Sequence, residues 1–514
     1  MANVKISQLP LATSPLDSTV EMPVVQGGVT KRAPVNTIGF LQSGAGAVTR
    51  TAQAKMQDVV SVKDYGAVGD GTTNDTAAVQ AAASSGAKSI HIPSGRYYLT
   101  APITFTGAVT LTGEGMASTL LEWTTGNGLS FVGVAGDNMP VTMRDFTVLK
   151  VAGAANGNAI TVNNAAQISG GNIQNRTSPR LVIENVAVKG SGTVFDSGWL
   201  NGLQCQSVLH ATVSGFHFEG RTNAPQTVMD SAVAMQFFGA GSPVEIVIEN
   251  SWVFYAQSAV TTADCEGVFV SGCNFVGVNI GLVFGGSGVE PQLNLVDNHI
   301  NVNVACVQAT NLAQASIAHN LLYARDTAPS NVVGIQLSSC QTVNIDDNIF
   351  VDTSSFNFDG IVFASGTTLC NARGNTFQST TTSVWMQAGS TNNTATGNTF
   401  VSVTTPYLDQ GTGNIVSDVS LATSGFGTSV QGVITKWGTA VSTLNASGDG
   451  TVTFPTAFKN AFYAAVVSSG DPAVASGAAF ALNQASCSTT TLAFSVRPNP
   501  GAIPVRVNYA AFGS

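Results

Sequence analysis

One short phrase returns along this chain from Ile183 to Phe400 and limits what the chain can fold into. It reads IENVAV from Ile183, VSGFHF from Val213, IENSWVF from Ile248, VSGCNF from Val270 and VDNHI from Val296. It continues as AHNLLY from Ala318, DDNIF from Asp346, RGNTF from Arg373 and TGNTF from Thr396. Taking the residue after the Glu, Gly, Asp or His as the anchor gives Asn185, Phe216, Asn250, Cys273, Asn298, Asn320, Asn348, Asn375 and Asn398. Successive gaps are 31, 34, 23, 25, 22, 28, 27 and 23 residues. A period in the twenties with drifting length specifies a stacked solenoid, because no unit can bury its apolar face alone.

The columns of the ladder give side-chain direction. Two residues past the anchor stand Phe218, Trp252, Phe275, Ile300, Leu322, Phe350, Phe377 and Phe400, all apolar and so expected inside. The column one past the anchor is mostly polar and is expected outside, as the period of two in a strand requires. The anchor asparagines then face inward and must hydrogen-bond, which stacking from coil to coil allows. The pattern is that of a parallel β-helix with about three short strands per coil, rising ~4.8 Å per coil.

Composition agrees. Charged residues make up 10% of 514, against ~25% in ordinary soluble proteins, and the 54 glycines suit a chain of tight turns. A net charge of −9 without a basic run argues against nucleic acid. No apolar run reaches membrane-spanning length, and MANVKISQLP lacks the regions of a signal peptide. The seven cysteines are scattered, with no CxxC spacing. Reduced thiols are expected, with Cys265, Cys273, Cys306, Cys340 and Cys370 as small core residues, and no metal or cofactor is indicated.

Three stretches resemble a known family. Ile6-Ser7-Gln8-Leu9-Pro10, Pro23-Val24-Val25 and Gly28-Val29-Thr30-Lys31-Arg32 resemble the particle-anchoring domain of bacteriophage tailspikes. Asp64-Tyr65-Gly66-Ala67, Gly69-Asp70-Gly71, Asn74-Asp75-Thr76 and Ile92-Pro93 with Gly95 and Tyr97 resemble the opening segment of the pectate-lyase-like β-helix superfamily. There Asn74 or Asp75 caps a helix over AAVQAAASS that covers the open end of the solenoid. Its acids read as turn formers, not as a calcium loop. Lys436-Trp437-Gly438, Thr451-Val452-Thr453-Phe454-Pro455, Ala457-Phe458 and the closing Asn508-Tyr509-Ala510-Ala511-Phe512-Gly513 resemble the C-terminal β-sandwich of phage tail fibres. The resemblance implies an all-β chain in four parts. These are a virion anchor over 1–56, a right-handed single-stranded parallel β-helix over 57–415, a connector over 416–432, and a C-terminal β-sandwich over 433–514 that trimerises or binds carbohydrate. It further implies a homotrimer on the virion, held by a phage tail or baseplate protein through residues 1–56. It would be made in the host cytoplasm and would bind or depolymerise a bacterial capsule, exopolysaccharide or O-antigen.

The middle coils match by pattern only, so site residues come from the columns. Glycan hydrolysis needs two outward carboxyls, whose separation sets the stereochemical course. The two longest gaps bracket VSGFHFEGR, with insertions at roughly 190–206 and 220–243 that can wall a groove. His217, Glu219 and Arg221 alternate there and are expected on one outward face. Asp264 and Glu266, with Glu290 stacked one coil on, form a second acid group in which one pKa can rise. Glu219 with Asp264 or Glu266 is the expected catalytic pair. His217, Arg221, Trp199, Asp230, Tyr255 and Glu290 are the expected substrate-binding residues. Asp326 and Asp359 are further possible partners. Glu184, Glu249, Asp297 and Asp347 precede ladder residues and read as turn residues, and Trp252 reads as core. Two other functions fit the same residues. One is a polysaccharide lyase acting on a uronate with His217 as base and Arg221 beside it, and the other is an adhesin without catalysis.

Overall fold

A computed structural model describes residues 21–34, 39–134, 140–153, 155–164, 181–224, 226–239, 243–328, 330–354, 356–417, 424–428, 434–454, 462–469, 479–497 and 504–513. The Ile6–Pro10 phrase, most of the Gly/Asn-rich stretch 152–180, much of the connector 416–432 and the Ala457-Phe458 phrase lie outside the described residues.

Among the described residues, the strands from Val60–Ser61 to Ile415–Ser417 join in one ladder of 36, and the pairings between coils are parallel. Each coil has three faces. Face one holds Val244–Glu249, Glu266–Ser271 and Leu293–Val296. Face two holds His217–Glu219, Trp252–Phe254 and the start of Asn274–Gly285. Face three holds Ser231–Phe238, Ala256–Ala263 and the rest of Asn274–Gly285.

A backbone device sets the corner between faces one and two. Asp145, Asn185, Gly215, Asn250, Gly272, Asp297, His319, Asp347, Gly374 and Gly397 all take φ between 48° and 69°. Gly, Asn and Asp tolerate this left-handed region best, which explains the Gly, Asp or His before most anchors. It also corrects two anchors. Asn185 and Asn250 occupy the left-handed position itself, and the buried anchors beside them are Val186 and Ser251. Asparagine suits both positions, so the letter alone did not separate them. The shift at Asn250 moves Trp252 to the outside. Its place in the inward column is taken by Val253, which pairs with Phe218 and Phe275.

Elsewhere the inward column is as expected. Phe218, Phe275, Phe350 and Phe377 are buried, and Phe350 stacks on Phe377 with ring centroids 4.6 Å apart. The anchors form a buried ladder. Asn298 N–H donates to Asn320 Oδ1 (3.0 Å), Asn320 to Asn348 (3.0 Å), Asn348 to Asn375 (2.9 Å) and Asn375 to Asn398 (3.0 Å). Face three makes room for the rings with a column of small residues: Gly202, Ala234, Ala259, Gly281, Cys306, Gly334, Gly360 and Ser383. A Cβ on Gly334 would lie 2.6 Å from the Phe350 ring, and one on Gly360 would lie 2.5 Å from Phe377. Cys265, Cys273, Cys306, Cys340 and Cys370 are buried.

At the N-terminal end the helix Thr76–Ala83 packs Val79 and Ala82 into the core. Asn74 Oδ1 accepts the Thr76 N–H (3.1 Å). Asp75 turns away from the helix and accepts from Val68 N (2.7 Å) and Gly69 N (3.0 Å), which fixes the preceding turn. Before the ladder stands a hairpin of Glu21–Gln26 and Val29–Pro34. After it come a four-stranded and a three-stranded antiparallel sheet that share a core including Leu444, Phe454, Phe494 and Val507.

Candidate active-site edges

The expected site residues fall on two edges of the helix. Glu219 ends the strand His217–Glu219, where face two turns into face three. Asp264 follows Ala256–Ala263, where face three turns into face one. That eight-residue strand separates the edges by roughly 25 Å at ~3.3 Å per residue. Glu219 and Asp264 or Glu266 of one chain therefore cannot act on one glycosidic bond, and this correction divides the site. Facing direction follows from alternation, but position around the coil depends on loop lengths that alternation does not report.

The edge between faces three and one carries the acids. Asp264 has φ 56°, and its Oδ1 accepts from Ser287 N (2.7 Å) and Ser287 Oγ (2.9 Å). Glu290, on the next coil, is only 8% exposed. A Cβ on Gly286 would lie 2.6 Å from Asp264 Oδ1 and 2.7 Å from Glu290 Oε1, so both carboxylates crowd this glycine. Burial, then the charges of Asp264 and Glu266, push the Glu290 carboxyl above its ordinary range. Glu266 is exposed. A buried carboxyl whose pKa is raised, set beside two further carboxyls, is the kind of arrangement from which a general acid can be built.

The edge between faces two and three carries rings. Trp252, expected in the core, is 42% exposed and stands edge-on to His217 with centroids 6.1 Å apart. Phe254 lies 5.7 Å from the His217 ring. Burial lowers the His217 pKa; Glu219, with Oε2 3.9 Å from Nε2, opposes this, and Lys189 adds to it. Arg221 lies past the end of the strand. Its guanidinium pairs with Asp230 and donates from Nε to Phe195 O (3.1 Å), so both groups brace the insertion. Tyr255 donates its hydroxyl to Gln226 Oε1 (3.3 Å).

Trp199 is corrected in the opposite sense. It is fully buried, donates Nε1–H to Val148 O (3.2 Å) and meets Trp123 edge-on at 5.9 Å, so no sugar can stack on it. Beneath it lies Lys150, also fully buried, with Nζ 4.3 Å from the Trp199 ring centre and 3.0 Å from Gly126 O. Burial pulls its pKa down to about 8. Between pH 8 and ~10.5 the unfolded chain keeps a proton that the folded chain has lost, so stability should rise across that window. The rise is on the order of 2–3 kcal/mol. Thermal melts from pH 7 to 10.5 should show the increase in the native protein and not in Lys150→Met.

Among the described residues no group of three His, Cys, Asp or Glu side chains is arranged to hold a metal ion. Asp359 is held above the usual carboxylate range by burial, with Thr382 hydrogen-bonded to it. Sequence reasoning missed Arg325, whose Nη2 donates to Gln226 Oε1 (3.4 Å) across 99 residues of chain.

Comparison with known proteins gives the build. Residues 59–283 match the family described as rhamnogalacturonase A/epimerase, pectate lyase-like, and residues 429–514 match the C-terminal domain of the putative tail fiber protein gp53-like family. The chain joins a pectate-lyase-like segment to a tail-fiber-type C-terminal segment. The tail spike protein of an Escherichia phage is 46% identical over 56 residues, which is 11% of this chain and 7% of that relative. The tailspike of E. coli bacteriophage HK620, solved in complex with a pentasaccharide, covers 93% of this chain and 98% of its own with 12% identity and a TM-score of 0.52. The mannuronan C-5 epimerase AlgE6 A-module of Azotobacter vinelandii covers 70% of this chain and 99% of its own, with 17% identity and a TM-score of 0.53. At these identities the structural likeness speaks for the fold alone.

Proposed function

We propose that this chain is a phage tailspike that binds a bacterial surface polysaccharide and depolymerises it by hydrolysis at the edge carrying Asp264, Glu266 and Glu290. The observation that carries this reading is the buried Glu290, which shares the space around Gly286 with Asp264 and has its carboxyl pKa raised by burial and by the neighbouring acids. Glu290 protonates the leaving glycosidic oxygen, and Asp264 or Glu266 takes the proton of the attacking water or attacks directly. The test is incubation with a panel of purified capsular, exopolysaccharide and O-antigen chains, read by size-exclusion chromatography and ultraviolet absorbance. Shortened chains without a new double bond support hydrolysis. Shortening with one replaces it by β-elimination on a uronate, and binding without shortening leaves an adhesin.

The helix is read as right-handed, with residues 1–56 attaching the spike to the phage tail or baseplate on the virion. Residues 57–415 form the helix, 416–432 connect, and 433–514 hold the subunits together or bind carbohydrate. The C-terminal four-stranded sheet leaves Val441 68% and Val466 65% exposed, and apolar surface of this kind favours a partner subunit. A homotrimer is expected by light scattering at micromolar concentration; a monomer there would remove the assembly from this reading.

A further inference from the structure

The edge between faces two and three takes no part in the hydrolysis described above, yet it is equipped to hold a ligand. Trp252, His217 and Phe254 form a patch of rings across two coils, and Tyr255 lies 6.4 Å from Phe254. Two loops from distant parts of the chain meet over it, where Gln226 accepts from Tyr255 and from Arg325.

Polar atoms without partners gather in the same place. Among the described residues, five buried side-chain atoms lacking a hydrogen bond lie on face two or along this edge: His217 Nε2, Asn301 Oδ1, Asn303 Oδ1, Arg325 Nη1 and Thr327 Oγ1. Asn303 is fully buried and ends a chain of amides. Gln257 donates to Met229 O (2.6 Å), Asn279 to Gln257 (2.5 Å) and Asn303 to Asn279 (3.2 Å), which leaves Asn303 Oδ1 unmatched. Buried polar groups are ordinarily paired, so such a concentration requires an explanation.

We propose that this edge is a second glycan-binding groove that grips the polysaccharide without cutting it. A pyranose presents an apolar face of C–H groups ringed by hydroxyls that donate and accept, and so matches rings and unpaired polar atoms together. Stacking falls to Trp252, and hydrogen bonding to Glu219, His217 and Arg325. Contact with a second subunit is the weaker fit, because Lys189 stands in register with Glu219 here and the centres of protein interfaces are poor in charge. The inference rests on the reading of the ligand as a polysaccharide.

The test uses full-length Glu290→Gln and short oligosaccharides prepared by partial acid hydrolysis of the panel polysaccharide that the protein binds, titrated by calorimetry. Two sites per chain are expected. Adding Trp252→Ala should weaken one of them at least about tenfold, and Trp252→Phe should keep both. A single site in Glu290→Gln, two undiminished sites in the Trp252→Ala variant, or a Trp252→Ala protein of altered mass by light scattering overturns the groove, the last by making this face a subunit contact. No binding to any panel member overturns the groove and the polysaccharide reading together. If Glu290→Gln still cuts, the acid assignment fails alone, and the titration repeated with fragments too short to be cut decides the groove.

Discussion

Glu290→Gln is expected to lower polysaccharide cleavage by ~10²–10⁴-fold, the usual loss on removing a general acid, while leaving the fold intact. The Glu290 pKa is raised by burial and by Asp264 and Glu266, so the folded state disfavours its ionised form. Stability tied to this group is present below the unfolded carboxyl pKa and is lost as pH rises through the folded value. Gln cannot ionise, so the variant should melt at or above the native temperature at neutral pH, and lost activity cannot then be laid to unfolding. The pH profile adds a check. Cleavage requires protonated Glu290, so the rate should fall as pH rises past its raised pKa. Asp264→Asn or Glu266→Gln removes a charge that raises that pKa, and should move the fall in residual activity to lower pH. A Glu290→Gln protein that cuts at the native rate sinks the assignment.

The residues that were legible in the sequence are those governed by local stereochemistry. Phe350, Phe377 and the asparagines from Asn298 to Asn398 repeat because each coil must stack on the next, and their burial could be read from period alone. Glu290 could be placed one coil from Asp264 by counting back from its anchor. Trp252 was misplaced by one residue because Asn250 fills the left-handed corner in one coil as Asn298 fills the buried anchor in another. The small-residue column needed the third dimension, since Gly334 and Gly360 face rings belonging to a different strand of the coil. Gln226 and Arg325 meet through insertions whose paths no period describes. The division of Glu219 from Asp264 has the same cause: the ladder fixes which side chains point outward, and loop lengths fix which edge they reach.

Asn348→Leu is expected to give the largest loss of stability among single changes in the ladder. The substitution keeps the number and branching of the side-chain heavy atoms, though leucine is bulkier, and removes every polar atom. Asn348 Oδ1 accepts from Asn320 N (3.0 Å) and Asn320 Nδ2 (2.9 Å), and its Nδ2 donates to Ile317 O (2.9 Å), Asp346 O (3.1 Å) and Asn375 Oδ1 (3.0 Å). Leucine deprives the Asn320 N–H and the Ile317 and Asp346 carbonyls of these bonds inside a packed stack. Each buried group left unpaired costs ~1–3 kcal/mol, so the total for the three is about 3–9 kcal/mol. A loss of that size is a large fraction of a domain's net stability and should lower the melting temperature by roughly 10 °C or prevent soluble folding. Asn344→Leu supplies the control, because Asn344 accepts from Asn371 Nδ2 (2.9 Å) on the exposed side of the strand Gln341–Asp346, which precedes Asn348. Water can replace that bond, so the control should melt within a few degrees of the native protein. Equal melting of the two variants would mean that the buried asparagines pack between the coils without tying them together.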